Sequence, residues 1–139
     1  MPNVYVQCGK INDVGGRSDY ISNAERQEEI VLHRKEMKFD WAFYSAYEKA
    51  NQKSKKANNE ARELIIALPN ELEYDLAKLE KMCDELTSEL VGKEHDYEYA
   101  VHWNHTRTNL HVHILFSERK VKSGEVEPKK YSRDIWTKK

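Results

Sequence analysis

A chain of 139 residues has the length of one domain and can enclose a core without disulfides or a structural metal to staple it. Hydrophobic residues at 39% and charged residues at 34% exclude a disordered or collagen-like chain, and no apolar run approaches the length that crosses a bilayer. The net charge of −1 argues against a uniformly basic polyanion binder, but the charge is segregated: residues 61–100 carry four basic and eleven acidic groups, residues 101–139 nine and four. A polyanion would meet the basic C-terminal third while the acidic stretch faces elsewhere. The N-terminus lacks the charged start and apolar stretch of a signal peptide. Cys8 and Cys83 are far apart with no CxxC spacing, so both are expected as reduced thiols in a cytoplasmic protein.

In chain order, residues 3–8 (NVYVQC) alternate apolar and polar side chains as a short strand does, and Gly15-Gly16 follow as a break. Residues 19–36 are polar and mixed, with helical stretches expected. Asp40 is a candidate N-cap for a helix to about Lys56, with Phe43, Tyr47 and Ala50 at helical spacing. Residues 63–68 (ELIIAL), rich in β-branched residues and stopped by Pro69, read as a central strand. Asn70 and Glu73 resemble a capping box, and Leu72, Leu76, Leu79, Cys83, Leu86 and Leu90 make one apolar stripe along a helix that Gly92 ends. Residues 97–104 and 110–117 form a hairpin. After Arg119 the chain turns basic and loses its period, and Gly124 and Pro128 suggest irregular structure over residues 120–139. The fold class expected is α+β, an antiparallel-rich sheet with helices packed on one face and a polar site on the other.

Strand parity supplies that site. Tyr97, Tyr99, Val101 and Trp103 share one face of the first hairpin strand, and Leu110, Val112, Ile114 and Phe116 share one face of the second. These bulky sets belong against the helices, which sends His102, His111 and His113 together to the opposite face. Three imidazoles so close are costly when protonated and productive when they share a divalent cation, with coordination positions left open. His33, His95 and His105 fit no such pattern and read as structural or surface groups. Zinc hydrolysis would call for a carboxylate base at a spacing such as HExxH, which the chain lacks. Phosphodiester chemistry instead needs a metal to polarise an oxygen and a separate nucleophile in line.

The segment YAVHWNHTRTNLHVHILFSER (residues 99–119) resembles the metal-binding motif of the MobA/MobL relaxases, members of the HUH endonucleases: an apolar strand ending in His102, a variable turn, Asn109-Leu110-His111-Val112-His113, then Ser117-Glu118-Arg119. SDYISN around Tyr20 and ELIIALPNEL (residues 63–72) are similar to further segments of that family in order and spacing. The resemblance implies that Tyr20, among eight tyrosines, attacks a phosphodiester of single-stranded DNA at an origin of transfer, becoming linked to the 5′-phosphate and freeing a 3′-hydroxyl. It implies Mn²⁺ or Mg²⁺ in function, while the nitrogen ligands also accept Zn²⁺, Ni²⁺ or Co²⁺. It further suggests Glu63 as the group that orients a histidine ligand or accepts the tyrosine proton.

Arg17, Arg119, Lys120 and Lys122 are candidate phosphate contacts, continued by Lys129, Lys130 and Arg133, and Tyr131 and Trp136 are candidates to stack on unpaired bases. Trp103 reads as core. Expected partners are the single-stranded DNA, accessory relaxosome proteins and a coupling protein. Residues 1–139 read as a single relaxase domain cut from the N-terminal part of a longer protein. Two other functions share the histidines: an HUH nuclease of replication initiation or transposition, and a silent metal-stabilised DNA-binding module.

Overall fold

The structure is a computed structural model and describes residues 6–22, 30–51, 60–103 and 109–127. The elements run β1 (Val6–Ile11), α1 (Val14–Ser22), β2 (Ile30–Glu36), α2 (Trp41–Ala50), β3 (Ala61–Leu68), a 3-10 turn (Asn70–Tyr74), α3 (Leu76–Leu90), β4 (His95–Trp103), β5 (Leu110–Lys122) and β6 (Glu125–Val126). Every strand pair among the described residues is antiparallel, in the order β1-β3-β5-β4-β2, with β6 folded back on the end of β5. The antiparallel α+β class expected from the sequence is the one that forms.

Alternation along the three middle strands divides the core in two. Leu64, Ile66 and Leu68 of β3, Tyr99, Val101 and Trp103 of β4, and Leu110, Val112, Ile114 and Phe116 of β5 lie on one face under Leu79 and Cys83 of α3. Ala61, Ala100 and Leu115 lie on the other, under Val14 and Ile21 of α1 and Trp41 and Tyr44 of α2. Helices therefore cover both faces, which corrects the expectation of one helical face. The reason is the path of the chain. β1 and β2 are opposite edges, so the connection through α1 must cross the whole sheet, and α2 returns over the same side toward β3.

Other expectations shift locally. Residues 30–36, expected within a helical region, form the edge strand β2 on β4, in keeping with the β-branched start Ile30-Val31. Asp40 caps α2 by accepting from the Phe43 amide at 2.8 Å, but α2 reaches only Ala50, and residues 52–59 lie outside the described residues. Its buried side chains are Trp41, Tyr44 and Glu48 rather than Phe43, Tyr47 and Ala50. Asp75, not Asn70, caps α3, accepting from the Lys78 amide, while the Asn70 side chain accepts from the Leu110 amide and ties the 3-10 turn to the hairpin. Leu76 is accordingly left 53% exposed at the start of α3. Gly92 ends α3 with φ +100, as its position suggested.

The segment after Arg119 is also more regular than expected. β5 runs on to Lys122 and turns through Ser123 and Gly124, both at positive φ, into β6. Two central residues of positive φ define the tight hairpin turn whose twist matches its strands. Residues 128–139 lie outside the described residues, and with them Lys129, Lys130, Tyr131, Arg133 and Trp136. Among the described residues no helix is long and apolar enough to cross a membrane. Cys83 is free and buried, and burial pushes its thiol up to about 12.

Because Leu79 is fully buried between α3 and the sheet and Leu76 is not, the two leucines of one stripe should behave differently. Urea unfolding of Leu79→Ala should show a loss of about 3 kcal/mol, and Leu76→Ala a change under about 0.5 kcal/mol.

Candidate metal centre and nucleophile helix

The hairpin register pairs Trp103 with Leu110, His102 with His111 and Ala100 with His113, so parity brings the three imidazoles together. Ring centroids are 4.3 Å apart for His102 and His113, 4.9 Å for His111 and His113, and 5.1 Å for His102 and His111. One nitrogen from each ring lies within 4.8 Å of the others.

The hydrogen bonds around the rings decide which nitrogens face inward. His113 Nδ1 lies 3.3 Å from Glu63 Oε2, and His111 Nδ1 lies 3.3 Å from the Asn109 carbonyl. Both oxygens only accept here, so both Nδ1 atoms carry the proton and both Nε2 lone pairs are left for a ligand. His113 Nε2 and both nitrogens of His102 are buried with no hydrogen-bond partner. Burial first, then the neighbouring imidazoles, lowers His102 to about 3, and burial also lowers His111. Converging imidazole nitrogens, those of His102 and His113 buried without a hydrogen-bond partner, are the donor set of a divalent transition ion, so the residues fit such a metal.

Glu63 links this cluster to α1. Arg17 grips it through both oxygens, Nε to Oε2 at 2.9 Å and Nη2 to Oε1 at 2.7 Å. Burial alone would raise the Glu63 carboxyl, but the bonds from His113 and Arg17 outweigh it and hold the group below the ordinary carboxylate range. The Arg17 guanidinium also lies over the Tyr20 ring, 4.8 Å from its centroid. Tyr20 stands on α1 with 39% of its surface exposed. The Gly-Gly pair before it lies in the first turn of this helix rather than in an open loop. Asp13 Oδ1 accepts from the Gly16 amide at 3.0 Å, and a Cβ at Gly16 would meet Asp13 Oδ2 at 2.5 Å.

Two further carboxylates that sequence reasoning did not single out hold α1 on the histidine face. Glu60 accepts from the Val14 amide at 3.0 Å and from Ser45 at 2.8 Å, joining α1 to α2. Glu98, on the same face of β4 as His102, receives Ser18 at 2.5 Å, Trp41 at 2.9 Å and His33 at 2.6 Å. Those bonds hold the Glu98 carboxyl low despite its burial. The signal was present: Val14, Arg17, Ser18 and Ile21 recur at the spacing of one helix face, and Glu98 shares the parity of His102. What the sequence lacked was the knowledge that this face met that one.

The basic candidates are placed differently from their order in the chain. Arg119 is bound by Glu48 at 2.5 and 2.9 Å, lies over the Tyr47 ring and fastens α2 to β5. Six residues of strand put it about 20 Å from His113 at about 3.3 Å per residue. Lys120 and Lys122 lie further along β5, Lys122 beside Glu94 at 3.7 Å. His95 is buried with Nδ1 on the Ser117 carbonyl at 2.7 Å, a structural group as expected. Trp103 is in the core. His105 lies outside the described residues.

The lowered His102 has a pH consequence. Between about pH 6.5 and about pH 3 the unfolded chain binds a proton that buried His102 refuses, so stability is full above that window and falls as pH drops through it. Thermal melts in chelator should show Tm falling across this range, with a flatter slope for His102→Gln.

The sequence profile of the MobA/MobL family matches residues 4–139. Over 145 aligned residues the chain is 30% identical to the 43 kDa relaxation protein of Salmonella typhimurium, covering 96% of this chain and 38% of that protein. The chain thus spans about two fifths of that relative's length. Its fold is similar to that of a protein solved in work on the molecular basis of vancomycin resistance transfer in Staphylococcus aureus, with TM-score 0.65, 19% identity, and 97% and 80% of the two chains covered. It is also similar to the MobM relaxase domain bound to plasmid pMV158 oriT DNA in a Mn-bound crystal structure, with TM-score 0.51, 14% identity, and 93% and 76% covered. With the profile spanning nearly all of its length and the histidine motif assembled in space, the chain belongs to the MobA/MobL family.

Proposed function

We propose that this domain nicks and rejoins single-stranded DNA at an origin of transfer, with Tyr20 as nucleophile. The observation that carries the reading is the chain of contacts from Tyr20 through Arg17 and Glu63 to His113, which ties a phenol-bearing helix to a three-imidazole cluster in which His102 and His113 have buried nitrogens without a hydrogen-bond partner. Family membership supports it, as do the relaxation-protein relative and the oriT DNA and manganese of the MobM domain.

In this reading His102, His111 and His113 hold a divalent ion, Mn²⁺ or Mg²⁺ in function, which when bound would polarise a non-bridging phosphate oxygen and offset charge in the transition state. Tyr20 Oη forms a bond to phosphorus as the bond from phosphorus to the 3′ oxygen breaks. The phenol gives up its proton and the departing 3′ oxygen gains one, so the strand ends as a 5′-phosphotyrosine and a 3′-hydroxyl. The reverse step rejoins it, because the ester keeps the phosphodiester bond energy that hydrolysis would discard. Glu63, already bound by Arg17 and His113, is a poor base for the tyrosine and acts by orienting His113.

Arg119 is committed to Glu48, and Lys120 and Lys122 at the far end of β5, Lys122 beside Glu94, together with Lys129, Lys130, Tyr131 and Arg133 later in the chain, are the candidate phosphate contacts for the strand. Accessory proteins and a coupling protein would deliver and export that DNA in the cytoplasm.

Incubation with single-stranded DNA from the origin region of the protein's own element and Mn²⁺ should yield a denaturant-resistant protein–DNA adduct with the natural chain and none with Tyr20→Phe. An equal adduct from the variant eliminates Tyr20, and DNA binding with no adduct from either protein favours a silent binding module. His113→Ala should abolish metal-dependent cleavage; retention of full cleavage would sink the three-histidine site.

A further inference from the structure

We infer that Arg17 is a positioning residue that couples the helix bearing Tyr20 to the His113 ligand, so that metal binding and the placement of the nucleophile are one event. The inference rests on the metal reading above. It departs from the expectation that Arg17 contacts phosphate, because its guanidinium is already turned inward.

The geometry is specific. Glu63 Oε2 is shared by Arg17 Nε and His113 Nδ1, while Oε1 is held by Arg17 Nη2. The two parallel bonds from one planar guanidinium fix the plane of the carboxylate, and the carboxylate in turn fixes the rotation of the His113 ring. Side-chain exposure is 5% for Glu63 and 7% for His113 beside an Arg17 side chain that is 28% exposed, so the guanidinium both covers and pairs the carboxylate. A carboxylate buried in this way and left unpaired would swing toward any other donor and release the ring.

Arg17 and Tyr20 lie three residues apart on α1, neighbours on the helix surface, and the guanidinium covers the tyrosine ring at 4.8 Å. One side chain therefore touches both the nucleophile's ring and the carboxylate behind a metal ligand. Two further polar ties of α1 run from Val14 to Glu60 and from Ser18 to Glu98, and the bonds shown for those two carboxylates reach no histidine of the cluster. Arg17 connects the two halves of the site.

Coupling of this kind is reciprocal: if α1 orders His113, then a metal on His113 must steady α1. Hydrogen exchange on the metal-stripped 139-residue protein, with and without Mn²⁺ and without DNA, reads it directly. Mn²⁺ should slow amide exchange across residues 14–22 as well as along β5. In Arg17→Ala the protection of residues 14–22 should vanish while β5 still responds, and calorimetric Mn²⁺ affinity should fall about tenfold, the scale on which outer partners of ligands act. Arg17→Lys, which keeps the charge but cannot form the two-pronged grip, should recover only part of the affinity and carries the comparison if the alanine variant does not fold. Leu79→Ala, on the opposite face, reports what loss of stability alone does, and its Mn²⁺ affinity should match the natural chain.

Unchanged Mn²⁺ affinity in Arg17→Ala, or metal protection of α1 that survives the substitution, overturns the inference while leaving the three-histidine site intact. A natural chain that takes up no Mn²⁺ overturns both readings together.

Discussion

A carboxylate that is 4% exposed has to be paired, and Glu63 is paired on both oxygens by Arg17 while it also faces His113. That single group settles three matters at once. It fixes which nitrogen of His113 carries the proton, it seats α1 on the sheet, and it removes a free base from the neighbourhood of Tyr20. Remove the guanidinium and the same carboxylate loses the two bonds that fix its plane. Much of the polar face follows from satisfying it and its two companions, Glu60 and Glu98.

The two faces of the sheet are stabilised by different physics. Beneath α3 the contact is a continuous apolar layer, including Phe116, Ile114 and Tyr99, whose burial is non-directional and tolerant of small shifts. Beneath α1 and α2 the apolar cluster is smaller, and buried carboxylates with short hydrogen bonds do the aligning. Directional bonds set orientation as well as proximity, which apolar burial by itself does not. The pairing of Arg119 with Glu48 extends the same logic to the far end of β5, where it fastens α2.

Much of the fold was legible because alternation and helical period are local properties. The hairpin strands, the helix over residues 76–90 and the strand ending at Pro69 all carry their burial pattern in the residue order. The edge strand β2 was not legible, since Leu32, His33 and Arg34 show no clean alternation and their state depends on pairing with β4. The same holds for residues 120–126, whose strand character depends on a Ser-Gly turn and on pairing within the chain. Helices on both faces also escaped local reading, because strand order decides which way a connection must cross.

For the site, the sequence by itself determined that His102, His111 and His113 share a face, because a strand cannot place residues two apart on opposite sides. Through resemblance alone it pointed to Tyr20 as a candidate nucleophile. Only the tertiary structure decided that Arg17 turns to Glu63 rather than to solvent, that Glu63 backs His113, and that Arg119 lies far from the histidines although it is only six residues on. Parity is a property of neighbours along one chain. The partner of a long charged side chain is a property of whatever other elements the fold brings within its reach.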